Sequence, residues 1–232
     1  MRWIEAAAAL AAVLAAGGVG LSSQSGLPAA QGPRVVPAFV VVLDAAHGGS
    51  DEGARLSGGA LEKDITLGLS VRLRSALQAR GMDVVTTRES DVNLTPLQRA
   101  QTANHAQAAA CLVLHATATG SGVHLFTSSL APAAPAAALP WATAQAAYVT
   151  QSLKLESEID TALAHTAIPV TMGRASVQPM DSLACPEVAV ELAPLVAGHV
   201  TEARPITDTG YEKMVVDALA AALESWRSDW KQ

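Results

Sequence analysis

Apolar and polar positions alternate along this chain in blocks that predict its elements. Val40-Val41-Val42-Leu43 is continuously apolar and mostly β-branched, the composition of a strand buried on both faces of a parallel sheet. It stops at a polar, glycine-containing turn around His47. Ala110-Cys111-Leu112-Val113-Leu114 is a second such run and ends at His115; residues 187–192 form a third and contain Glu191. Shorter strands are predicted over 83–87 and 123–128. Between them, Ile65, Leu69, Leu73 and Leu77 recur every four residues and predict a helix over about 61–80, with Gly81 as its terminator. Thr95 followed by Pro96 reads as an N-cap and first helical position, opening a helix to about residue 108.

The second half is patterned more loosely. Residues 130–140 are rich in Ala and Pro and read as an irregular connection. A helix is predicted over about 141–165, with Leu155, Ile159 and Leu163 on one side. Residues 166–184 carry no readable pattern. Thr209-Gly210-Tyr211-Glu212 fits a capping box that opens a last helix, with Met214, Val215, Ala218, Leu219 and Leu223 facing inwards. Strands alternating with helices predict a single three-layer α/β domain, with a mostly parallel (mixed) central sheet flanked by helices.

Composition narrows the picture. Of 232 residues half are hydrophobic but only 3% are aromatic, so the core is built from Val, Leu, Ile and Ala. A formal charge of -6 leaves no basic stripe to neutralise phosphates and argues against nucleic acid as a partner. Residues 1–21 run apolar from Ala6 to Leu21 and read as an export signal or N-terminal anchor; Ser, Gly, Pro and Gln make 22–37 a linker. The folded domain is therefore expected over 38–232, exported to the periplasm or cell envelope. Any membrane contact would run through the N-terminal segment. Cys111 and Cys185 occur in no zinc-finger spacing. They flank two predicted strands, and a disulfide and two buried thiols both remain open.

The ionisable residues fall in a telling place. His47 and His115 close two buried strands, Glu191 lies within a third, and Glu62 sits in the first turn of the helix after His47. All four would gather at the carboxyl edge of one parallel sheet, where such folds bind ligands. Two imidazoles and one carboxylate are a catalytic zinc set with a fourth position for water, and the remaining carboxylate could take the proton of that water. Glu62 alone would suit the helix dipole, and His115 alone could be a satisfied core histidine. A carboxylate inside Ala-Val-Glu-Leu is rare unless paired. Asp44 and Asp51 flank His47 as candidates to orient it. His105, His124, His165 and His199 lack strand-end placement and read as surface or structural.

These residues resemble a known family. His47-Gly48-Gly49-Ser50-Asp51-Glu52-Gly53-Ala54, Leu61-Glu62-Lys63-Asp64, Thr86-Thr87-Arg88, Gln98-Arg99, Ala103-Asn104, Leu114-His115-Ala116 and Pro186-Glu187-Val188-Ala189-Val190-Glu191-Leu192 follow a family order. They are similar to the catalytic domain of zinc-dependent N-acetylmuramoyl-L-alanine amidases, the AmiC-like amidase_3 family, over roughly residues 38–230. The resemblance implies one zinc ion on His47, Glu62 and His115, and Glu191 as the catalytic acid/base. It implies hydrolysis of the amide between N-acetylmuramic acid and L-alanine, with peptidoglycan or muropeptides as substrate. Ala45-Ala46, Thr117 and Ala193-Pro194 depart from the family pattern beside the site, not among the ligands. Some relatives carry a blocking helix that an activator moves, and residues 130–165 lie where such an insertion falls. An activator protein is therefore a candidate partner. A peptidoglycan-binding module that has lost turnover is the alternative, and the retained Glu191 argues against it. A phosphate-binding reading of Gly48-Gly49 is opposed by Asp51 and Glu52.

Overall fold

The computed structural model describes residues 38–134, 137–196 and 203–230; the expected leader and linker, and His199, lie outside them. Six strands form one mixed sheet: β1 (Val40–Ala45), β2 (Asp83–Thr86), β3 (Ala110–Ala116), β4 (Val123–Ser128), β5 (Val170–Ala175) and β6 (Glu187–Leu192), in the spatial order β2-β1-β3-β6-β4-β5. β1, β2, β3 and β6 are parallel; β4 runs antiparallel to β6 and parallel to β5. Among the described residues four α-helices flank the sheet: α1 (Glu62–Gln78), α2 (Pro96–His105), α3 (Val149–Ala164) and α4 (Thr209–Trp230). The chain leaves β1 for β2 on one side and returns to β3 on the other. The carboxyl ends of β1 and β3 therefore flank a topological switch point, the usual crevice for ligands in such sheets.

Alternation along the strands divides the core in two. Leu112 and Leu114 of β3, with Val188 and Val190 of β6, face α1, α3 and α4 and join the larger core, including Leu69, Leu73, Leu77, Leu155, Ile159, Leu163, Leu219 and Leu223. Cys111, Val113 and Ala189 face the other way, against Ala100 and Ala103 of α2 and Met180 and Leu183. This second layer is thin, and it leaves the carboxyl edge of the sheet accessible on the α2 face.

Several local expectations are met. Thr95 caps α2: its hydroxyl accepts from the Gln98 N–H at 3.3 Å and the Gln98 side chain accepts from the Thr95 N–H at 2.9 Å. Residues 141–165 are helical in two pieces, 3-10 turns over Trp141–Ala147 and then α3. Others change. The hydroxyl of Thr209 does not cap α4. The Asp208 carboxylate accepts from the Tyr211 N–H at 2.7 Å, and Glu212 pairs with Arg72 of α1. The unreadable stretch contains β5, an edge strand whose Thr171, Met172 and Arg174 are exposed, which is why no alternation marked it. Cys111 and Cys185 form a disulfide, because β3 and β6 are neighbours.

Candidate metal centre

β1 delivers His47 to the edge of the sheet on a constrained turn. His47 adopts φ 61°, a left-handed conformation uncommon outside glycine. Such strain persists only where the surroundings over-determine it. Here two buried arginines do so. Arg99 donates to the carbonyls of Ala45 and His47, each at 2.6 Å, and Arg88 donates to those of Ala45 at 2.9 Å and Ala46 at 3.1 Å. Three consecutive carbonyls at the strand end are thus held by guanidinium forks. Arg99 also pairs with Asp44 at 2.8 Å, so Asp44 is committed to Arg99 and does not orient His47. Asp51 does approach the histidine: its Oδ2 lies 2.9 Å from His47 Nδ1, though off the angle of a hydrogen bond. Sequence alone does not single out either arginine; their burial is the signal that marks them.

Glu62 enters from the first turn of α1 and is buried, so it is more than a dipole partner. Its Oε2 lies 3.1 Å from His47 Nε2 and its Oε1 lies 2.9 Å from His115 Nδ1. Backbone N–H groups support the same oxygens, Ala54 to Oε2 at 2.8 Å and Ala116 to Oε1 at 3.1 Å. Burial works to raise the Glu62 pKa. The hydrogen bonds from His115, His47, Ala54 and Ala116 outweigh it and hold the carboxyl far below its ordinary range. The reciprocal contact, chiefly the hydrogen bond to Glu62, raises the pKa of His47 against the opposing effect of burial. Gly53 closes over this contact at φ +66°. A Cβ there would come 2.6 Å from His47 Cδ2 and 2.7 Å from Glu62 Oε2, so only glycine fits.

Glu191 stands one strand away. It is the register partner of His115 across the parallel β3–β6 ladder and of His124 across the antiparallel β6–β4 ladder. Direct partners project to the same face, so His115, Glu191 and His124 form a row along the sheet edge. His124, read from sequence as surface or structural, lies with Nδ1 2.8 Å from Glu191 Oε2. No sequence signal marked it, because the pairing depends on the β4–β6 register. His105 and His165 are exposed, as expected. On the α2 face, His115, Glu191, Phe126, Ala175, Val177 and Ala189 line a pocket of about 220 Å³. A second of about 120 Å³ shares His115 and includes His47, Asp51 and Arg99.

The donor set suits zinc. The donor atoms of His47, Glu62 and His115 all lie within 4.8 Å of one another. Tetrahedral zinc with bonds of about 2.0–2.1 Å places its ligand atoms about 3.3 Å apart, close to the two imidazole–carboxylate separations here. Two imidazoles and one buried carboxylate could hold such an ion and would leave a coordination position open.

Comparison with known proteins points to one family. The sequence model of the Amidase_3 family, described as N-acetylmuramoyl-L-alanine amidase, matches residues 41–225. A germination-specific N-acetylmuramoyl-L-alanine amidase of Bacillus subtilis (strain 168) is 38% identical over 96 residues, covering 35% of this chain and 40% of that protein. The N-acetylmuramoyl-L-alanine amidase AmiA of Escherichia coli (strain K12) is 36% identical over 77 residues, covering 33% of this chain and 27% of that protein. The match thus spans less than half of each of these two relatives. The catalytic domain of CwlV, an N-acetylmuramoyl-L-alanine amidase from Bacillus (Paenibacillus) polymyxa var. colistinus, superposes with a TM-score of 0.63 at 19% identity, covering 82% of this chain and 98% of that one. The CwlD amidase from Clostridioides difficile, solved in complex with the GerS lipoprotein, does so with a TM-score of 0.61 at 19% identity, covering 82% and 99%. At that identity the structures speak for the fold.

Proposed function

Because the chain belongs to the Amidase_3 family of N-acetylmuramoyl-L-alanine amidases, we propose that it hydrolyses the amide between N-acetylmuramic acid and L-alanine in peptidoglycan. We assign one zinc ion to His47, Glu62 and His115, and proton transfer to Glu191. The observation that carries this reading is the meeting of His47, Glu62 and His115 at the switch point, with Glu191 beside His115 in register. When bound, zinc polarises the amide carbonyl and lowers the pKa of a water. Glu191 then takes a proton from the attacking water and hands it to the leaving amine. The Ala54 and Ala116 N–H groups favour the ionised form of Glu62, the form a cation takes up. The apolar wall of Phe126, Ala175 and Val177 gives the substrate a surface next to Glu191.

Location follows the same reading. Disulfides persist in oxidising compartments, so the Cys111–Cys185 bridge supports export to the cell envelope. Among the described residues no helix is long and apolar enough to cross a membrane. The CwlD amidase is held in complex with a lipoprotein, which supports a protein partner here too.

The test is Glu191→Gln. The variant should fold and bind zinc like the parent, yet release stem peptide from muropeptide about 10²–10⁴-fold more slowly, the usual loss of a positioned base. A parent that holds zinc and muropeptide without turnover would be the binding module instead. Zinc lost from the folded variant would make Glu191 a ligand or its support.

A further inference from the structure

We propose that His124 is the positioning residue of the Glu191 carboxylate, holding one oxygen so that the other meets the reacting water. The inference rests on the amidase reading above and adds a residue to it. Glu191 is 29% exposed in its side chain, and among the described residues its one hydrogen bond is with His124, at 2.8 Å. Oε2 is thereby engaged, while Oε1 makes no hydrogen bond among the described residues. A glutamate has three side-chain torsions, and a partly exposed one samples many rotamers unless something fixes it. A general base must stay within hydrogen-bond reach of its proton, and misplacement by an ångström costs rate steeply. Because an ionised carboxylate only accepts, Nδ1 of His124 carries the proton it donates.

His124 is itself locked, which sets this contact apart from an ordinary surface pair. Its side chain is 15% exposed. Gly120, at φ +84°, brings the backbone down on the outer edge of the ring: a Cβ there would fall 2.4 Å from Cε1 and 2.6 Å from Nε2. The ring stands on β4 directly opposite Glu191, and the register of two paired strands sets the distance between them. Glycine clamp and strand register together leave the imidazole little freedom, and the imidazole passes that order to Glu191. No assigned zinc ligand hydrogen-bonds to His124, so the effect should fall on turnover and leave the metal alone.

The experiment is steady-state muropeptide hydrolysis by the zinc-loaded full chain, comparing the parent, His124→Leu and His124→Asn, each also combined with Glu191→Gln. Zinc dissociation constants and thermal midpoints are measured alongside. His124→Leu should lower kcat by about 10–100-fold, as loss of a partner that orients an active-site group does, with KM within about twofold and zinc affinity unchanged. His124→Asn places an amide N–H near the site of Nδ1 and should recover most of that loss. In the Glu191→Gln background His124→Leu should cost nothing further. An undiminished kcat in His124→Leu overturns the proposal, as does equal impairment in the Asn and Leu variants, or loss of zinc. If the Leu variant does not fold, His124→Ala removes the donor without adding bulk and is read the same way. A parent without turnover, or a Glu191→Gln variant at the parent's rate, fails the amidase reading itself. Parent turnover with an indifferent His124 fails only the positioning role.

Discussion

Gly53→Ala should uncouple the zinc site from the rest of the fold. Two costs arise, and they can be separated. The first is the backbone: Gly53 sits at φ +66°, where a side chain costs about 1–2 kcal/mol. The second is contact. The new methyl would lie 2.6 Å from His47 Cδ2, 2.7 Å from Glu62 Oε2 and 2.8 Å from Glu62 Cβ. Carbon contacts normally rest at about 3.5–4.0 Å, so both side chains must retreat by about 1 Å. Metal sites tolerate deviations of only about 0.2 Å. Glu62 cannot swing aside freely either, because its Oε2 accepts from the Ala54 N–H at 2.8 Å. Gly58→Ala is the matched control: φ is +73° and nothing lies within 4 Å of its Cβ. Both variants should lose about 1–2 kcal/mol in urea unfolding of the metal-free protein, Gly53→Ala somewhat more. Only Gly53→Ala should weaken zinc, by at least about 10–100-fold in a chelator competition titration. Equal zinc affinity in the two variants would refute the claim that His47 and Glu62 share the ion beneath Gly53.

Two further predictions concern the scaffold. The disulfide closes a separation of 74 residues, which the chain-entropy relation converts to about 4 kcal/mol; Cys111→Ala with Cys185→Ala should lose about that in urea unfolding while binding zinc as before, and an unchanged midpoint would mean the bridge contributes nothing. Glu187 is fully buried at the start of β6, and desolvation pushes its pKa up to about 8 despite the Ser128 N–H and Gln145 that favour the charged form. The folded state then binds the proton more tightly than the unfolded chain. Its contribution is full below the ordinary carboxylate range and is lost as pH rises towards 8, up to about 5 kcal/mol. Glu187→Gln should flatten that fall between pH 5 and pH 8, and parallel stability profiles for variant and parent would refute the assignment.

The strands that carry the site were legible because they are locally unambiguous. Val40–Leu43, Ala110–Leu114 and residues 187–192 are largely apolar runs suited to a sheet buried on both faces, and each leads to or contains an ionisable residue of the site. The Ile65–Leu77 stripe and the Thr95-Pro96 cap are equally local, since a helix face and a helix end are defined within a few residues. Signals of that range failed elsewhere. The Asp208 cap depends on the backbone turn before α4, and Thr209 looks as suitable in one dimension. β5 buries too little to alternate. The disulfide joins residues 74 apart and the His124–Glu191 contact residues 67 apart, and both exist only because β6 lies between β3 and β4. The left-handed turn at His47 is likewise held by Arg88 and Arg99, from β2's end and α2. The sequence by itself determined that His47, His115 and Glu191 reach the sheet edge, because strand period and strand end are local properties. Strand order and register decided which of them touch, because distances between remote segments are set only when the core closes around the whole sheet.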